Sequence, residues 1–397
     1  MAAVVPISIA ATSISKLIMF IFALVVLGTA VARRKPMPQL SQLRTPAVVL
    51  LMLAALALSL AYTSAPLARG LNDLVKYGKL LVIPLVLALV RTRREALLAL
   101  GVYVAAQAFV VVTSYLLSMD LVLPWVLMPR SERVSIGTVY SSYIDQSIMT
   151  AGLAALSWHL RGEFPGRHGR KLAVALVLLC VVNVLFFLPG RSGHAALLAA
   201  IALAAFWAIP GRGKWAALMV PPLLLVAAMA MSPQLRERVS AVATESEAYS
   251  RGDPTPTSSG LRLDFWRRSI QAFEERPLWG HGVGSWNTEF RRLEGSQVNP
   301  SFKDLHNPHQ EYLMWAVQLG IVGVALFLAF LLVLVRDASR FRPDIRHATQ
   351  SLVAVLAVVC LFNTTLFDGL IGDYFCVLLG LLLVLGLRST SPKEAAS

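Results

Sequence analysis

Apolar runs of roughly 18–25 residues recur along this chain, each bounded by a short charged cluster, and about 20 helical residues are what a bilayer's hydrocarbon core requires. A soluble helical bundle would show amphipathic stripes rather than helices apolar all round. Composition agrees: 56% of the 397 residues are hydrophobic and 15% charged, against about 25% charged in an ordinary soluble domain. The expected fold is an all-α polytopic membrane protein with about 11–12 transmembrane helices and one large, partly helical periplasmic loop. Spans are predicted near 14–32, 46–64, 71–90, 96–118, 143–160, 171–189, 193–209, 214–231, 310–335, 347–366 and 370–387. The chain then divides into 1–231 (about eight helices), the loop 232–309, and 310–397 (about three helices and a cytoplasmic tail).

The net charge of +14 would suggest nucleic acid in a soluble protein. Here basic residues collect in alternate inter-span loops, as cytoplasmic loops do. The rich set is Arg33, Arg34, Lys35 and Arg44; Arg91, Arg93 and Arg94; Arg161, Arg167, Arg170 and Lys171; Arg212 and Lys214; Arg336, Arg340, Arg342 and Arg346; then Arg388 and Lys393. The stretch 232–309 is therefore expected on the opposite side, periplasmic, or extracellular in a cell with one membrane. A cytoplasmic tail puts the N-terminus outside unless a first helix is short or lies upstream; no cleavable signal is expected. Cys180, Cys360 and Cys376 sit singly inside apolar runs and read as buried small residues. Residues 250–260 (SRGDPTPTSSG) read as a linker.

Ionisable residues at span ends on one side are the informative ones. Residues 188–194 (LPGRSGH) break one helix and place Arg191 at the start of the next, where a guanidinium suits a phosphate; snorkelling to headgroups is the plainer alternative. Arg69 precedes the third span, and Lys76 and Lys79 share a helical face within it, suiting a diphosphate. Residues 260–273 (GLRLDFWRRSIQAF) space Leu261, Phe265, Trp266, Ile270 and Phe273 as an amphipathic helix on the membrane or over the site, carrying Arg262. Residues 277–286 (PLWGHGVGSW) lack the strand and GK[ST] of a nucleotide loop; a turn closing over the substrate is expected. Residues 305–323 (LHNPHQEYLMWAVQLGIVG) put His306 and His309 at the mouth of the ninth span, poised for acid–base chemistry. Zinc would need a third ligand that this stretch lacks. Asp368, in the turn FDGLIGD, is a further candidate.

His309-Gln310, nine residues, then Gly320-Ile321-Val322-Gly323 resembles the pattern of the O-antigen ligase family: a histidine, then Asn, Ser or Gln, nine residues, and Gly-x-x-Gly. Arg191 in Gly-Arg-Ser-Gly, and Arg262, Trp266 and the 277–284 turn, are similar to the family's other landmarks in the same order. The resemblance implies a membrane glycosyltransferase that moves a glycan from undecaprenyl diphosphate to lipid A–core oligosaccharide, membrane lipids being both donor and acceptor. It implies His309 as base, with Arg191 and Arg262 on the leaving diphosphate. Arg69, Lys76, Lys79, His306 and Asp368 are expected to bind substrate. One in-line displacement without cofactor or metal ion, inverting the anomeric centre, is the expected course. O-antigen polymerases and protein O-oligosaccharyltransferases share the motif; the latter carry a long C-terminal extension, which is not expected here. A transporter or flippase of a lipid-linked anion would also want cations in a cavity, but not a histidine beside a structured outer loop.

Overall fold

A computed structural model describes residues 1–32, 38–126, 137–251, 257–294 and 305–389. Arg33, Arg34, Lys35, Lys393 and residues 252–256 of the 250–260 linker lie outside the described residues. The chain is 77% helical, without strand among the described residues. In chain order the helices are α1 (Ile9–Ala32), α2 (Pro38–Gln42), α3 (Thr45–Ser59), α4 (Leu67–Tyr77), α5 (Val82–Leu89), α6 (Arg93–Ser118), α7 (Tyr143–His159), α8 (Gly169–Val182), α9 (Arg191–Ala208), α10 (Val220–Met231), α11 (Pro233–Ser250), α12 (Ser258–Glu275), α13 (Trp286–Glu294), α14 (Glu311–Ala338), α15 (Pro343–Val359) and α16 (Gly369–Ser389).

Each predicted span coincides with helix. Seven helical stretches are long and apolar enough to cross a membrane: Ile9–Val26, Arg93–Ser118, Gly169–Phe187, Arg191–Ala208, Gly213–Met231, Glu311–Ala338 and Gly369–Ser389. The chain is a multi-pass membrane protein. The remaining predicted spans are helical but shorter, or broken. The third divides into α4 and α5 around a 3-10 turn, Gly78–Leu81. The tenth ends with α15 at Val359, about seven residues before its expected limit, because the following polar run Asn363-Thr364-Thr365 is drawn into a folded turn. Regular helices end here for local reasons. Thr92 and Glu95 close a reciprocal capping box at α6, the Glu95 amide donating to Thr92 Oγ1 at 3.1 Å. The start of α3 is capped from afar: Asp337, at the end of α14, accepts from the Thr45 amide at 2.9 Å and the Thr45 hydroxyl at 2.7 Å.

Helix α16 runs through the centre, buried from Leu370 to Gly386, and packs on α5, α6 and α15. Helix α1 lies at the periphery, with Ile14, Leu17, Ile18, Ile21 and Leu24 exposed, as lipid-facing positions must be. Its Lys16 forms a 2.7 Å ion pair with the buried Asp373 of α16. The three cysteines are buried thiols.

Helix α14 is interrupted. Gly320 has φ 63° and ψ −149°, a region essentially confined to glycine. The turn 277–284 enters that break. The amides of His281 and Gly282 donate to the carbonyls of Val317 and Gln318, each at 2.8 Å, and the Ile321 amide donates to the Pro277 carbonyl at 2.7 Å. A Cβ on Gly280 would lie 2.6 Å from backbone atoms of residues 317–320, and one on Gly320 2.5 Å from backbone atoms of Pro277 and Leu278. Two glycine-rich motifs some forty residues apart thus fit each other. This corrects the expectation of a turn closing over substrate: its backbone donors and acceptors are spent on α14, α3 and the 59–64 turn. Ser64 donates its amide to the His281 carbonyl at 2.9 Å, and the Val283 amide donates to Ser59 Oγ at 2.9 Å.

Candidate active site

Three residues far apart in sequence are brought together by one face of α12. Arg191 opens α9, straight after the break at 188–190, and its Nη1 donates to Ser259 Oγ at 2.9 Å. One turn on, at i+3, stands Arg262; one turn further is Phe265, whose ring lies 6.1 Å from the imidazole of His309, centroid to centroid. Residues three apart are neighbours on successive turns of a helix. The stripe Ser259–Arg262–Phe265 therefore runs from Arg191 to His309, with Arg262 between. The predicted helix over 260–273 is present as α12, and its apolar side is set inward: Phe265, Ser269 and Ala272 are buried. The Trp266 indole donates to the Pro308 carbonyl at 3.2 Å, beside His309.

The electrostatics follow from this crowding. Arg262 is half-buried and makes no hydrogen bond or ion pair with any described residue; burial, and then the neighbouring Arg191, pull its pKa down. Burial, and then the Arg262 charge, push the His309 imidazole down to about 4. It is therefore neutral at physiological pH, the form that accepts a proton. Two guanidinium groups with one nearby carboxylate, Glu245 at 3.8 Å from Arg191, form a place where an anion is stabilised.

His309 sits outside ordinary backbone space, at φ 52°, which few non-glycine residues adopt. Gln310 follows as the N-cap of α14, its side chain accepting from the Leu313 amide at 2.7 Å. A residue with such an acceptor is what the position after the histidine needs.

The other expected substrate binders form a second group on the α4 side. Arg69, Lys76 and His306 gather around the buried Asp73. Lys76 pairs with Asp73 at 3.0 Å and lies over the Phe367 ring, Arg69 bonds to Asn287, and His306 is exposed. Lys79 departs from expectation. The 3-10 turn rotates it inward, where it is 4% exposed and donates to the carbonyls of Phe367 at 3.1 Å and Asp368 at 2.5 Å. It anchors the turn carrying Asp368 rather than presenting a cation to substrate. Burial, then Asp145, raise the Asp368 carboxyl to about 7.

Asn307, Thr364, Asn363 and Ser192, four polar residues in the site's frame, escaped the sequence reading. Thr364 Oγ1 donates to Asn307 Oδ1 at 2.6 Å, Asn363 Nδ2 donates to Ser192 Oγ at 2.8 Å, and the Leu366 amide donates to Glu311 Oε2 at 2.9 Å. The turn 361–368 thereby touches both the Arg191 end and the His309 end. Its signal in the sequence was Asn-Thr-Thr at the close of an apolar run, where buried polar groups must find partners.

Among the described residues, the one trio of side chains close enough to share an ion is Glu275, His281 and Glu289. It contains neither His306 nor His309. Arg292 already spans its two carboxylates, reaching Glu289 at 2.7 Å, and His281 Nε2–H donates to the Ala272 carbonyl at 2.8 Å. The trio fastens the 277–284 turn to α12 and α13.

These features define a polytopic, all-α membrane protein in which a half-buried histidine and two arginines converge along α12. Residues 174–328 match the family model described as O-antigen ligase. The matched region contains Arg191, Arg262, His309 and Gly320–Gly323 in full. The chain is also similar to an uncharacterized protein of Haemophilus influenzae, 28% identical over 138 residues, 33% of this chain and 34% of that protein. The chain thus matches about a third of that relative's length.

Proposed function

We propose that this protein is a glycosyltransferase of the O-antigen ligase type, acting at the periplasmic face of the inner membrane. It transfers a glycan from undecaprenyl diphosphate to lipid A–core oligosaccharide. The observation that carries the reading is the α12 stripe, which sets two permanent cations beside a neutral imidazole. Diphosphate departure calls for that division of labour. The acceptor hydroxyl attacks the anomeric carbon and its proton passes to His309. The bond to the diphosphate oxygen breaks, and Arg191 and Arg262 stabilise the charge that develops there. A single in-line attack inverts the anomeric centre. The Arg69–Lys76–His306 group, with Asp368 beside it, serves the acceptor side. A polymerase would use the same residues with a second lipid-linked repeat as acceptor, so the acceptor offered in the assay separates the two.

The test is transfer by purified protein from undecaprenyl-diphosphate-linked glycan to lipid A–core in the presence of EDTA. Product formation at an undiminished rate is the expected result. No product with lipid A–core, but extension when a second lipid-linked repeat is supplied, would replace ligase by polymerase. Transbilayer movement of intact donor without glycan transfer would replace both by a flippase.

The pH profile is a second expected result. A base must be neutral to act, and His309 has its pKa held near 4 by burial and then by Arg262. The rate expressed as kcat/KM, which reports the free enzyme, should rise with pH through about 4, and any further change near 7 reports the Asp368 carboxyl. In the donor complex the diphosphate offsets the Arg262 charge, so the acid limb of kcat should lie at higher pH. Arg262→Gln should move the kcat/KM limb part of the way towards the ordinary histidine value, because burial remains. A limb near 6.5 in the unmodified protein, unmoved by Arg262→Gln, would remove His309 from the role of base.

A further inference from the structure

His309 adopts its left-handed backbone conformation with help from one side chain. Asn307 Oδ1 accepts the His309 amide hydrogen at 2.9 Å, the local turn in which an Asx residue bonds the backbone two positions on. The same oxygen accepts from Thr364 Oγ1 at 2.6 Å. The amide's other end, Nδ2, donates to Asp368 Oδ1 at 3.4 Å. Asn307 is 9% exposed and Thr364 fully buried, so neither is a surface ornament. All the hydrogen-bonding ends of this amide are directed at the site: one at the backbone of the histidine, one at the 361–366 turn, one at the carboxylate.

We propose that Asn307 is the positioning residue for His309, fixing the backbone that aims the imidazole towards Arg262 and tying it to Asp368 and Thr364. The inference rests on the transferase reading above and adds to it a residue that touches neither reacting atom. A left-handed φ at a histidine is unfavourable in isolation. Without the Asn307 acceptor, φ returns to negative values and Cβ swings away from the Phe265–Arg262 side. The nearby bond from Trp266 to the Pro308 carbonyl holds the chain on one side of His309, and Gln310 holds it on the other. Asn307 supplies what remains, the amide of His309 itself.

The amide chemistry gives a test that a merely structural role would not pass. Asn307→Asp keeps the acceptor for the His309 amide and Thr364 but loses the donor to Asp368, leaving two carboxyl groups face to face. Such a pair shares one proton as pH falls. Donor-saturated transfer rates would be measured for the unmodified protein, Asn307→Ala, Asn307→Asp, Asn307→Asp/Asp368→Asn and His309→Ala, between pH 5 and 8. Donor and acceptor are undecaprenyl-diphosphate-linked oligosaccharide and lipid A–core.

Asn307→Ala should lower kcat about 100-fold, the cost of a misplaced catalytic group, with KM for the donor within about threefold because the arginines are untouched. Asn307→Asp should be poor at pH 8 and recover towards pH 5.5 when each rate is divided by that of the unmodified protein at the same pH. The double variant, which restores the bond with its polarity reversed, should recover at every pH. Unaltered kcat in Asn307→Ala, or a loss confined to KM, overturns the proposal. So does a double variant as poor as Asn307→Asp. If Asn307→Ala fails to accumulate in membranes, the pH recovery of Asn307→Asp and the double variant decide alone. His309→Ala separates the two levels: full transfer there removes the transferase reading and this inference together. Loss there with an unaffected Asn307→Ala removes only the inference.

Discussion

Replacement of His309 by asparagine is expected to lower kcat by about 10²–10⁴-fold, the range that a positioned general base contributes. Asparagine is the informative substitution because it tolerates positive φ better than alanine. The backbone at φ 52° is then undisturbed, and a loss of rate reports the missing base. Thermal unfolding should be unchanged, since the imidazole is half-buried at a helix mouth rather than part of the core. His306→Ala is the companion, and it should retain most activity because that side chain is exposed and lies with the Arg69–Lys76 group. Steady-state rates of the two variants give the decisive contrast. Loss in His306→Ala with retention in His309→Asn would place the base at the other histidine. Retention in both would end the general-base mechanism.

The largest effect on stability should come from Gly280→Ala. Two separate costs fall on this one methyl group. At φ 66° a Cβ is unfavourable by about 1–2 kcal/mol. The same Cβ would stand 2.6 Å from the Val317 carbonyl oxygen and from the backbone at Gln318 and Gly320, where nothing can swing aside as a side chain would. The turn must lift out of α14, giving up the three backbone hydrogen bonds that join it to residues 317, 318 and 321. Buried groups left unmet cost about 1–3 kcal/mol each. Their sum approaches the roughly 5–15 kcal/mol of a whole domain. Little folded protein should survive extraction, and a fluorescence melt should shift down by on the order of 10 °C or more. Gly101→Ala is the control. It lies inside α6, where an added Cβ would have nothing within 4 Å, and alanine should raise helix stability by up to about 1 kcal/mol. Equal melts for the two variants would mean that the turn is not held in the break.

Much of this was legible in the sequence because the membrane imposes a simple rule. A chain that must satisfy its own backbone in hydrocarbon has helices of bilayer length, so hydropathy locates the seven described helical stretches long and apolar enough to cross. The trio His309, Arg191 and Arg262 is also legible, as ionisable groups at span ends or on an amphipathic helix, with motif spacing. What is not legible depends on helix interruptions. Spacing alone sets Lys79 beside Lys76 on a continuous helix, and a 3-10 turn of four residues rotates it into the interior. Hydropathy puts the polar run at 363–365 inside a span, although its hydrogen bonds reach residues 192 and 307. Partners that remote leave no local periodicity. Gly320 is visible as part of a motif, yet its φ and the loop that fills its break depend on a contact made some forty residues earlier.

That break changes how α14 should be thought of mechanically. Residues 311–319 are fastened on two sides. The 277–284 turn holds the carbonyls of 317 and 318, while the Glu311 amide donates to the Cys360 carbonyl at 2.9 Å and its carboxylate holds the Leu366 amide. Beyond Gly320 the helix continues as an ordinary apolar span. The short segment behind His309 is thus a keystone wedged between the outer loop and the 360–368 turn. The break at Gly320 separates this segment from the long apolar part of the helix.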